Sequence, residues 1–319
     1  MVREAASDSA MSQRFQDDFK IQEQLWTNRR RFLIGSAVST GVLFARVPKR
    51  VRSHEAQLAR IGVMTLSFDH VLKSARHPDD PRRTLDILDL PQMIADRYGV
   101  HHVELQHYHF ASTESSYLRE MRDRLRKAKS HMNQICLEFG ALNISSPDPV
   151  LRIETVDLTK QWIGHAAAVG CPRVMLNAGT LAPEVRQAAV ASLKEIAAYG
   201  KERKVFVTVE NRGHGPTPPK PSWEVVVEVV NAAGIYANPD TGNFQDEASR
   251  TAGLRAMYPL SCGSSHAHYD PARFNEAHAI GISKEVGYKG LYSIEATNAN
   301  GPDPYVAVQT IIDELVKDV

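Results

Sequence analysis

Short apolar runs rich in β-branched residues recur along the chain from about residue 60, and each run ends in polar residues. Runs of four to eight such residues, bounded by turn-forming residues, are typical of buried strands. The run Val205 to Val209, which meets its first charge at Glu210, shows the pattern most clearly. Eight strands are predicted in this way: 61–67, 102–106, 137–143, 173–177, 205–210, 234–238, 261–266 and 291–295.

The segments between these runs carry apolar residues three and four positions apart, which predicts amphipathic helices. In the first of them, Leu90, Ile94 and Tyr98 share one face. Helices commonly end at a residue in the left-handed conformation, which glycine adopts readily. Glycines that follow the apolar pattern therefore indicate helix ends. We predict helices over 89–98, 117–136, 155–170, 184–199, 222–233 and 304–319, with Gly170, Gly200 and Gly234 near their ends.

Regular alternation of strands and helices predicts a parallel sheet, and eight such units suit a closed (β/α)8 TIM barrel. An open, doubly wound α/β sheet is the alternative. It is disfavoured because the first strand runs into Ser67-Phe68-Asp69-His70 and not into a glycine-rich phosphate loop. We therefore expect a single α/β barrel domain over residues 60–319.

Residues 1–59 have a different pattern and are expected to form a signal and leader segment. Arg29, Arg30 and Arg31 precede Phe32 and Leu33, which begin an apolar stretch that is diluted by Gly, Ser and Thr up to residue 45. That stretch is shorter than the roughly 20 residues that span a bilayer. It resembles a twin-arginine export signal, which implies the twin-arginine export machinery as a partner and a periplasmic or extracytoplasmic location. A leader with a chance arginine cluster and an uncleaved membrane anchor are the alternatives.

Composition excludes several other classes of function. Hydrophobic residues make up 43% of the chain and charged residues 24%, which is enough for a full core. The 38 basic and 37 acidic residues nearly cancel, so no net field favours nucleic acid. Cys136, Cys171 and Cys262 are far apart and form no CxxC pair, which argues against a zinc knuckle or a dense disulfide framework.

Chemistry-bearing residues stand at or just after the ends of the last four predicted strands, about one βα unit apart: Glu210, Asp240, His266 and Glu295. In a TIM barrel the carboxyl ends of the strands converge on one mouth. Each residue alone could be an exposed acid or an ion-pair partner, but four in register predict one site. Three carboxylates and an imidazole suit one divalent metal ion, Mn²⁺ or Mg²⁺ first, with Zn²⁺, Co²⁺ or Fe²⁺ as alternatives. Without a cation the three carboxylates would repel one another.

These residues also carry a family resemblance, which covers about residues 60–319. The segments resemble strands five to eight of xylose-isomerase-like TIM barrels, the sugar phosphate isomerase/epimerase family: Val-Thr-Val-Glu210-Asn211, Asn-Pro-Asp240-Thr-Gly-Asn243-Phe, Ser-His266-Ala-His268-Tyr-Asp270 and Gly290-Leu-Tyr-Ser-Ile-Glu295. The resemblance implies metal ligands at Glu210, Asp240, His266 and Glu295. It also implies that Glu210 and Glu295 face each other across the substrate as an acid/base pair.

The resemblance therefore implies a metal-dependent sugar isomerase or epimerase. The metal would hold two adjacent sugar oxygens and polarise the carbonyl. One glutamate would remove the neighbouring proton to give an enediolate, and a glutamate would return it. Return to the opposite face gives epimerisation, and return to the next carbon gives isomerisation. Export favours an unphosphorylated sugar, and a homo-oligomer is the default expectation for such a barrel.

Six further residues near strand ends are candidates for substrate binding: Glu104, Asn177, His214, Asn243, His268 and Arg273. Glu104 is expected to orient a sugar hydroxyl, or to orient a side chain in the second layer around the site. Arg273 fits an anionic substrate group or a surface salt bridge. Asn243 is a departure, because many relatives have histidine there and asparagine cannot shuttle a proton. The departure weakens the inference that the chain acts as ordinary ketose epimerases do. It also argues against the multi-zinc endonuclease branch, which needs more histidine ligands.

Two other functions stay open on the sequence alone. One is a metal-dependent lyase or hydrolase that acts on oxidised (3-keto) glycosides by the same enolate chemistry. The other is an exported carbohydrate-binding barrel without turnover, which the intact pair Glu210 and Glu295 argues against.

Overall fold

The computed structural model describes residues 49–74, 77–212, 223–297 and 301–319. The barrel lies in the compact unit Ser53–Val319. The arginine cluster and apolar stretch of the predicted export signal lie outside the described residues, so the signal and the boundary at residue 59 stay predictions. None of the helices in the described part of the chain has the length and apolarity that a membrane span requires.

Eight strands alternate with helices along the described chain. The strands are β1 (Ile61–Met64), β2 (His102–Gln106), β3 (His131–Leu137), β4 (Arg173–Leu176), β5 (Phe206–Glu210), β6 (Tyr236–Asn238), β7 (Ser264–Ala267) and β8 (Leu291–Ile294). The helices are α1 (Lys49–Leu58), α2 (Leu90–Tyr98), α3 (Ser115–Lys127), α4 (Pro149–Val169), α5 (Pro183–Arg203), α6 (Trp223–Ala233), α7 (Glu247–Met257), α8 (Glu276–Glu285) and α9 (Pro304–Asp318).

The strands form one parallel sheet in the order β6-β5-β4-β3-β2-β1-β8-β7. The ring closes between β6 and β7, where Asp240 and His266 form a parallel bridge. Two backbone bonds hold this seam: His266 N donates to Pro239 O at 2.9 Å, and Thr241 N donates to His266 O at 3.1 Å. The predicted single (β/α)8 TIM barrel is therefore confirmed, and its closing seam lies beside two of the predicted site residues.

Alternate residues of the strands belong to two different cores, as the two-residue period of a strand requires. Val63 and Val174 join the large apolar cluster between the sheet and the helices. Their neighbours Met64 and Met175 join a separate small cluster with Cys136. The small cluster shares the strands with buried polar residues, notably Glu104, Gln134, Thr208, Asn238 and His266. The strands thus carry a second, polar set of buried side chains beside the apolar set.

The prediction for the third unit was wrong. A helix over 117–136 and a strand over 137–143 were expected, but α3 ends at Lys127 and β3 covers His131–Leu137. The chain turns at Lys129, whose φ is 54°. Ala128 and Met132 continue the helical spacing of Leu125, so the apolar period alone could not show where the helix ends. Pairing with both β2 and β4 decides that this segment is a strand.

The predicted glycine ends are correct at two helices and wrong at a third. Gly170 and Gly234 follow α4 and α6 with positive φ values of 79° and 70°. Gly200 lies inside α5, and Lys204 takes the left-handed position after that helix. A Cβ at Gly200 would lie 2.5 Å from Val205 O, so glycine is needed there for the close approach of the chain.

Helices α7 and α8 were not predicted. Both begin at a polar residue whose side chain accepts a hydrogen bond from the first turn, as an N-cap does. Asp246 Oδ1 accepts from Ser249 N at 2.7 Å, and Asn275 Oδ1 accepts from His278 N at 3.1 Å. These two helices complete the βα units that follow β6 and β7.

Candidate functional site

The four side chains predicted to form one site converge at the mouth of the barrel. Glu210 ends β5, Asp240 follows β6, His266 lies in β7, and Glu295 follows β8. One ligand atom of each lies within 4.8 Å of the corresponding atoms of the others. Three of the side chains are buried, whereas that of Glu295 is 21% exposed. The set therefore offers three carboxylates and one imidazole, which could hold a divalent cation with access from the mouth.

His266 lies at the centre of this group. Its Nδ1 is 2.5 Å from Glu210 Oε1, and 3.7 Å from both Asp240 Oδ2 and Glu295 Oε2. Its Nε2 is 2.8 Å from Glu104 Oε1 on the other side of the ring. Burial lowers the pKa of His266, but the charges of Glu104 and Glu210 outweigh burial and hold that pKa well above its ordinary value. The imidazole is thus enclosed by carboxylates on both sides.

His268 is tied to the same group through Asp240. Its Nε2 lies 3.0 Å from Asp240 Oδ2 and 3.7 Å from Glu295 Oε2. Burial lowers the pKa of His268, but Asp240 and Glu295 outweigh it and raise the pKa to about 9. A Cβ at Gly242 would lie 2.7 Å from the His268 ring, so the glycine permits this contact. His268, predicted to bind substrate, is placed where it stabilises the charge of Asp240.

Arg212 and Glu138 are two site residues that the sequence reading missed. Arg212 Nε lies 2.9 Å from Glu210 Oε2, and the guanidinium also contacts Glu138. Glu138 Oε2 accepts from Asn177 Nδ2 at 2.6 Å. Burial raises the pKa of Glu210, against the opposing charges of Arg212 and His266. Glu138 directly follows β3, so the strand-end rule would have found it if that strand had been placed correctly.

Glu104 lies inside the barrel and not in the mouth. It is fully buried, and it accepts hydrogen bonds from Gln134 Nε2 at 2.9 Å and from Asn133 Nδ2 at 3.2 Å. Cys136 Sγ donates to the same carboxylate at 2.8 Å. Burial raises the pKa of Glu104, but the charge of His266 outweighs it and lowers the pKa to about 2. The structure therefore places Glu104 behind His266.

The other candidates for substrate binding differ in their exposure and in their hydrogen-bond partners. Asn243 is half-buried, and its carbonyl accepts from Asn211 Nδ2 at 3.3 Å. Arg273 donates to Gly242 O at 3.3 Å, and its side chain is 51% exposed. Asn177 lies at the mouth beside Glu138, as the bond above shows. His214 lies outside the described residues, so its placement stays a prediction.

A further polar network joins the loops after β1 and β2. His109 Nδ1 is 2.8 Å from Thr65 Oγ1, and His109 Nε2 is 2.8 Å from Asp69 Oδ1. Thr65 Oγ1 also accepts from Gln106 N at 2.9 Å. The order of these groups is that of a nucleophile, base and acid, but Thr65 is fully buried and no substrate carbon could reach it. The network holds two loops together.

Comparisons with known proteins agree on the fold. Residues 94–314 match the family model of the xylose isomerase-like TIM barrel. A solved D-psicose 3-epimerase from Clostridium cellulolyticum H10, with D-tagatose, is 15% identical; the match covers 80% of this chain and 89% of that chain, with a TM-score of 0.62. No curated protein sequence matches the chain.

Two further solved structures show the same architecture. A xylose isomerase-like TIM barrel protein from Mycobacterium smegmatis, in complex with magnesium, is 15% identical over 82% of this chain and 97% of that one, with a TM-score of 0.61. An L-ribulose 3-epimerase is 16% identical over 82% of this chain and 91% of that one, also with a TM-score of 0.61. At such identities, these structures establish a shared fold and nothing finer.

Proposed function

Because the chain belongs to the xylose isomerase-like TIM barrel family, we propose that it is a divalent-metal-dependent sugar isomerase or epimerase. The observation that carries the proposal is the convergence of Glu210, Asp240, His266 and Glu295 within 4.8 Å at the carboxyl ends of β5 to β8. Fold neighbours that are sugar 3-epimerases support the substrate class. Fold alone does not assign an activity, so the site carries the proposal.

The donor set fits a divalent cation. Glu210 and Asp240 are buried close to each other, and Glu295 adds a third carboxylate, so the site concentrates negative charge where water cannot screen it. Oxygen ligands with one imidazole suit Mn²⁺ or Mg²⁺. When bound, the cation would neutralise the carboxylates and polarise a substrate oxygen.

The two glutamates differ in a way that suggests separate roles. Glu295 is more exposed, and its nearest cationic partners are histidine nitrogens at 3.7 Å. Glu210 is only 4% exposed and is held by His266 and Arg212. We assign proton removal from the carbon next to the substrate carbonyl to Glu295. The C–H electron pair then forms the enediolate, and Glu210 or Glu295 returns a proton to carbon.

Substrate contacts and cellular location complete the proposal. Asn177 and Asn243 offer amide groups near the mouth for sugar hydroxyls, and His214 and Arg273 stay as proposed contacts. Export through the twin-arginine route stays a proposal as well, and it favours an unphosphorylated sugar. Cell fractionation of the wild type against a variant with Arg29, Arg30 and Arg31 changed to lysine tests it, because the signal depends on its arginines.

The function is tested by metal analysis followed by isotope exchange. The purified chain is reconstituted with Mn²⁺, its metal content is measured, and ketoses and aldoses are incubated with it in D₂O. We expect one bound ion per chain and deuterium incorporation next to the carbonyl of at least one sugar. Binding of metal and sugar without exchange would favour the non-catalytic carbohydrate-binding barrel. Cleavage of a 3-keto glycoside without isomer formation would favour the lyase, and nicking of supercoiled DNA would favour the endonuclease branch.

A further inference from the structure

His266 presents its two ring nitrogens to two different groups of potential metal ligands. Nδ1 faces Glu210, Asp240 and Glu295, whereas Nε2 faces Glu104 and Cys136. A neutral imidazole has one nitrogen that carries a proton and one that can accept or coordinate. The two groups therefore compete for His266, and only one of them can use it as an ordinary neutral ligand.

The surroundings of Glu104 decide which nitrogen carries the proton. Gln134, Asn133 and Cys136, all on β3, direct N–H or S–H donors at the Glu104 carboxylate, at distances of 2.8 to 3.2 Å. A carboxylate surrounded by donors acts only as an acceptor. His266 Nε2, which lies 2.8 Å from the same carboxylate, is therefore also a donor. Cys136 keeps its proton in this arrangement and is not available as a thiolate ligand.

We propose that Glu104 is a positioning residue, which holds the His266 ring with Nε2 protonated and leaves Nδ1 for the cation. The inference rests on the proposed function, because it assigns a role toward the metal held by Glu210, Asp240, His266 and Glu295. It also assigns Glu104, Cys136 and His266 to an orienting network and not to a second metal site. A carboxylate behind a ligating histidine fixes the tautomer and increases the basicity of the ring.

The position of Glu104 in the fold makes this role specific. It lies on β2, in register with Gln134 of β3, whereas the other carboxylates lie at or beyond the ends of β5, β6 and β8. Glu104 is fully buried behind the imidazole, so it reaches the cation only through that ring. Loss of its charge would therefore change the metal site without removing a ligand.

The main test compares metal affinity in two variants. Glu104→Gln keeps the size of the side chain but removes its charge. Glu314→Gln is the matched control, because it makes the same change on α9, where the acid pairs with Lys317. We expect Mn²⁺ to bind Glu104→Gln about 10–100-fold more weakly by titration calorimetry. We expect Glu314→Gln to bind Mn²⁺ as the wild type does. Thermal melting of the metal-free variants shows whether a change in affinity is only a loss of folding.

Two further measurements are made on the wild type, and Cys136→Ala serves only to assign a cobalt charge-transfer band if one is seen. With Co²⁺ bound, we expect the absorption spectrum to lack the thiolate-to-cobalt charge-transfer band. With Zn²⁺ bound, ¹⁵N spectra of His266 should show a protonated Nε2 and a coordinated Nδ1. A charge-transfer band that disappears in Cys136→Ala, or coordination through Nε2, would overturn the inference.

Failure of the proposed function is distinguishable from failure of this inference. If the wild type binds no divalent ion, the metal site itself is wrong. If the wild type binds Mn²⁺ and Glu104→Gln binds it equally well, the metal site stands and only the positioning role of Glu104 falls.

Discussion

The two halves of the barrel place different chemistry at the same kind of position. In the early half (β1 to β4), the residues that directly follow the strands are Thr65, His107, Glu138 and Asn177. In the late half (β5 to β8), the strands end in or lead to Glu210, Asp240, His266 and Glu295. The early half contributes mainly groups that bond one another, and its one acidic member, Glu138, is satisfied by Arg212 and Asn177. The late half contributes three carboxylates that converge around one imidazole.

The difference shows that polar residues at strand ends have structural roles in one half of the barrel and form the candidate metal site in the other. In the early half, polar side chains form hydrogen bonds that connect loops, as those of Thr65, His109 and Asp69 do. The late half keeps negative charge buried and incompletely compensated, which is costly unless a cation or a substrate uses it. Glu104 is the exception, since it lies in the early half but supports His266 of the late half. We therefore expect substitutions of the four converging residues to affect chemistry, and substitutions of the other polar residues at the strand ends to affect mainly stability.

The sharpest test of this division is Glu295→Gln. Because the variant lacks the proposed base, we expect proton exchange with the sugar substrate to slow about 10²–10⁴-fold at saturating Mn²⁺. Deuterium incorporation followed by NMR measures the rate. Glu314→Gln is the matched control, because that acid lies on α9 and pairs with Lys317. Exchange at the wild-type rate in Glu295→Gln would remove Glu295 from the chemistry.

A second test concerns a buried acid of the late half that is not one of the four. Burial raises the pKa of Glu276 to about 8, and among the described residues its Oε2 has no hydrogen-bond partner. Because its pKa in the folded state lies above its ordinary value of 4.5, its protonated form favours folding. The stability that it contributes is complete below about pH 4.5 and is lost as the pH rises toward 8.

The variant Glu276→Gln should remove this pH dependence. Relative to the wild type, its free energy of unfolding should rise by about 2–4 kcal/mol between pH 5 and pH 8 and then stay level. Urea unfolding at each pH measures the difference. Glu202→Gln, on a side chain that is 74% exposed, controls for the general loss of a carboxylate. A difference that does not change with pH would show that Glu276 ionises normally in the folded protein.

The contact between the halves is tested by Arg212→Gln. This change leaves Glu210 and Glu138 without their shared cation, so we expect the metal-free protein to lose about 1–3 kcal/mol of unfolding free energy. Mn²⁺ should reduce the loss, because it supplies positive charge to Glu210. Urea unfolding with and without Mn²⁺ measures both values, with Arg126→Gln, on a side chain that is 80% exposed, as the surface control. An equal loss in both conditions would mean that Arg212 acts through packing alone.

The smallest effect is expected in the early half. Asn177→Ala removes the hydrogen bond to Glu138, which should lower the free energy of unfolding by about 0.5–1.5 kcal/mol. We expect Mn²⁺ affinity to stay at the wild-type value, since the side-chain hydrogen bonds of Asn177 go to Glu138 and Gly179 and not to the four converging residues. Urea unfolding and calorimetry measure the two quantities. A large loss of Mn²⁺ affinity would contradict the division between the halves.

The sequence by itself determined the fold class and the meeting of four side chains. Alternating strand and helix patterns leave few parallel topologies, and in a closed barrel all strand ends point to one mouth. The position of Glu210 at the end of an apolar run therefore predicts where its side chain lies. The same holds for Glu295, which directly follows the short, mostly buried strand β8. Local pattern and a fixed topology were sufficient at these positions.

Only the tertiary structure decided the bounds of β3 and the partners of the four residues. The apolar spacing of 117–136 fits a helix throughout, and only pairing with β2 and β4 makes its last part a strand. Glu138 meets Arg212, and Glu104 meets His266, across many residues of chain. Such contacts depend on which strand faces reach the same point of a closed ring. The periodicity of apolar residues describes each helix or strand separately. It therefore cannot predict how close two side chains on different strands will lie.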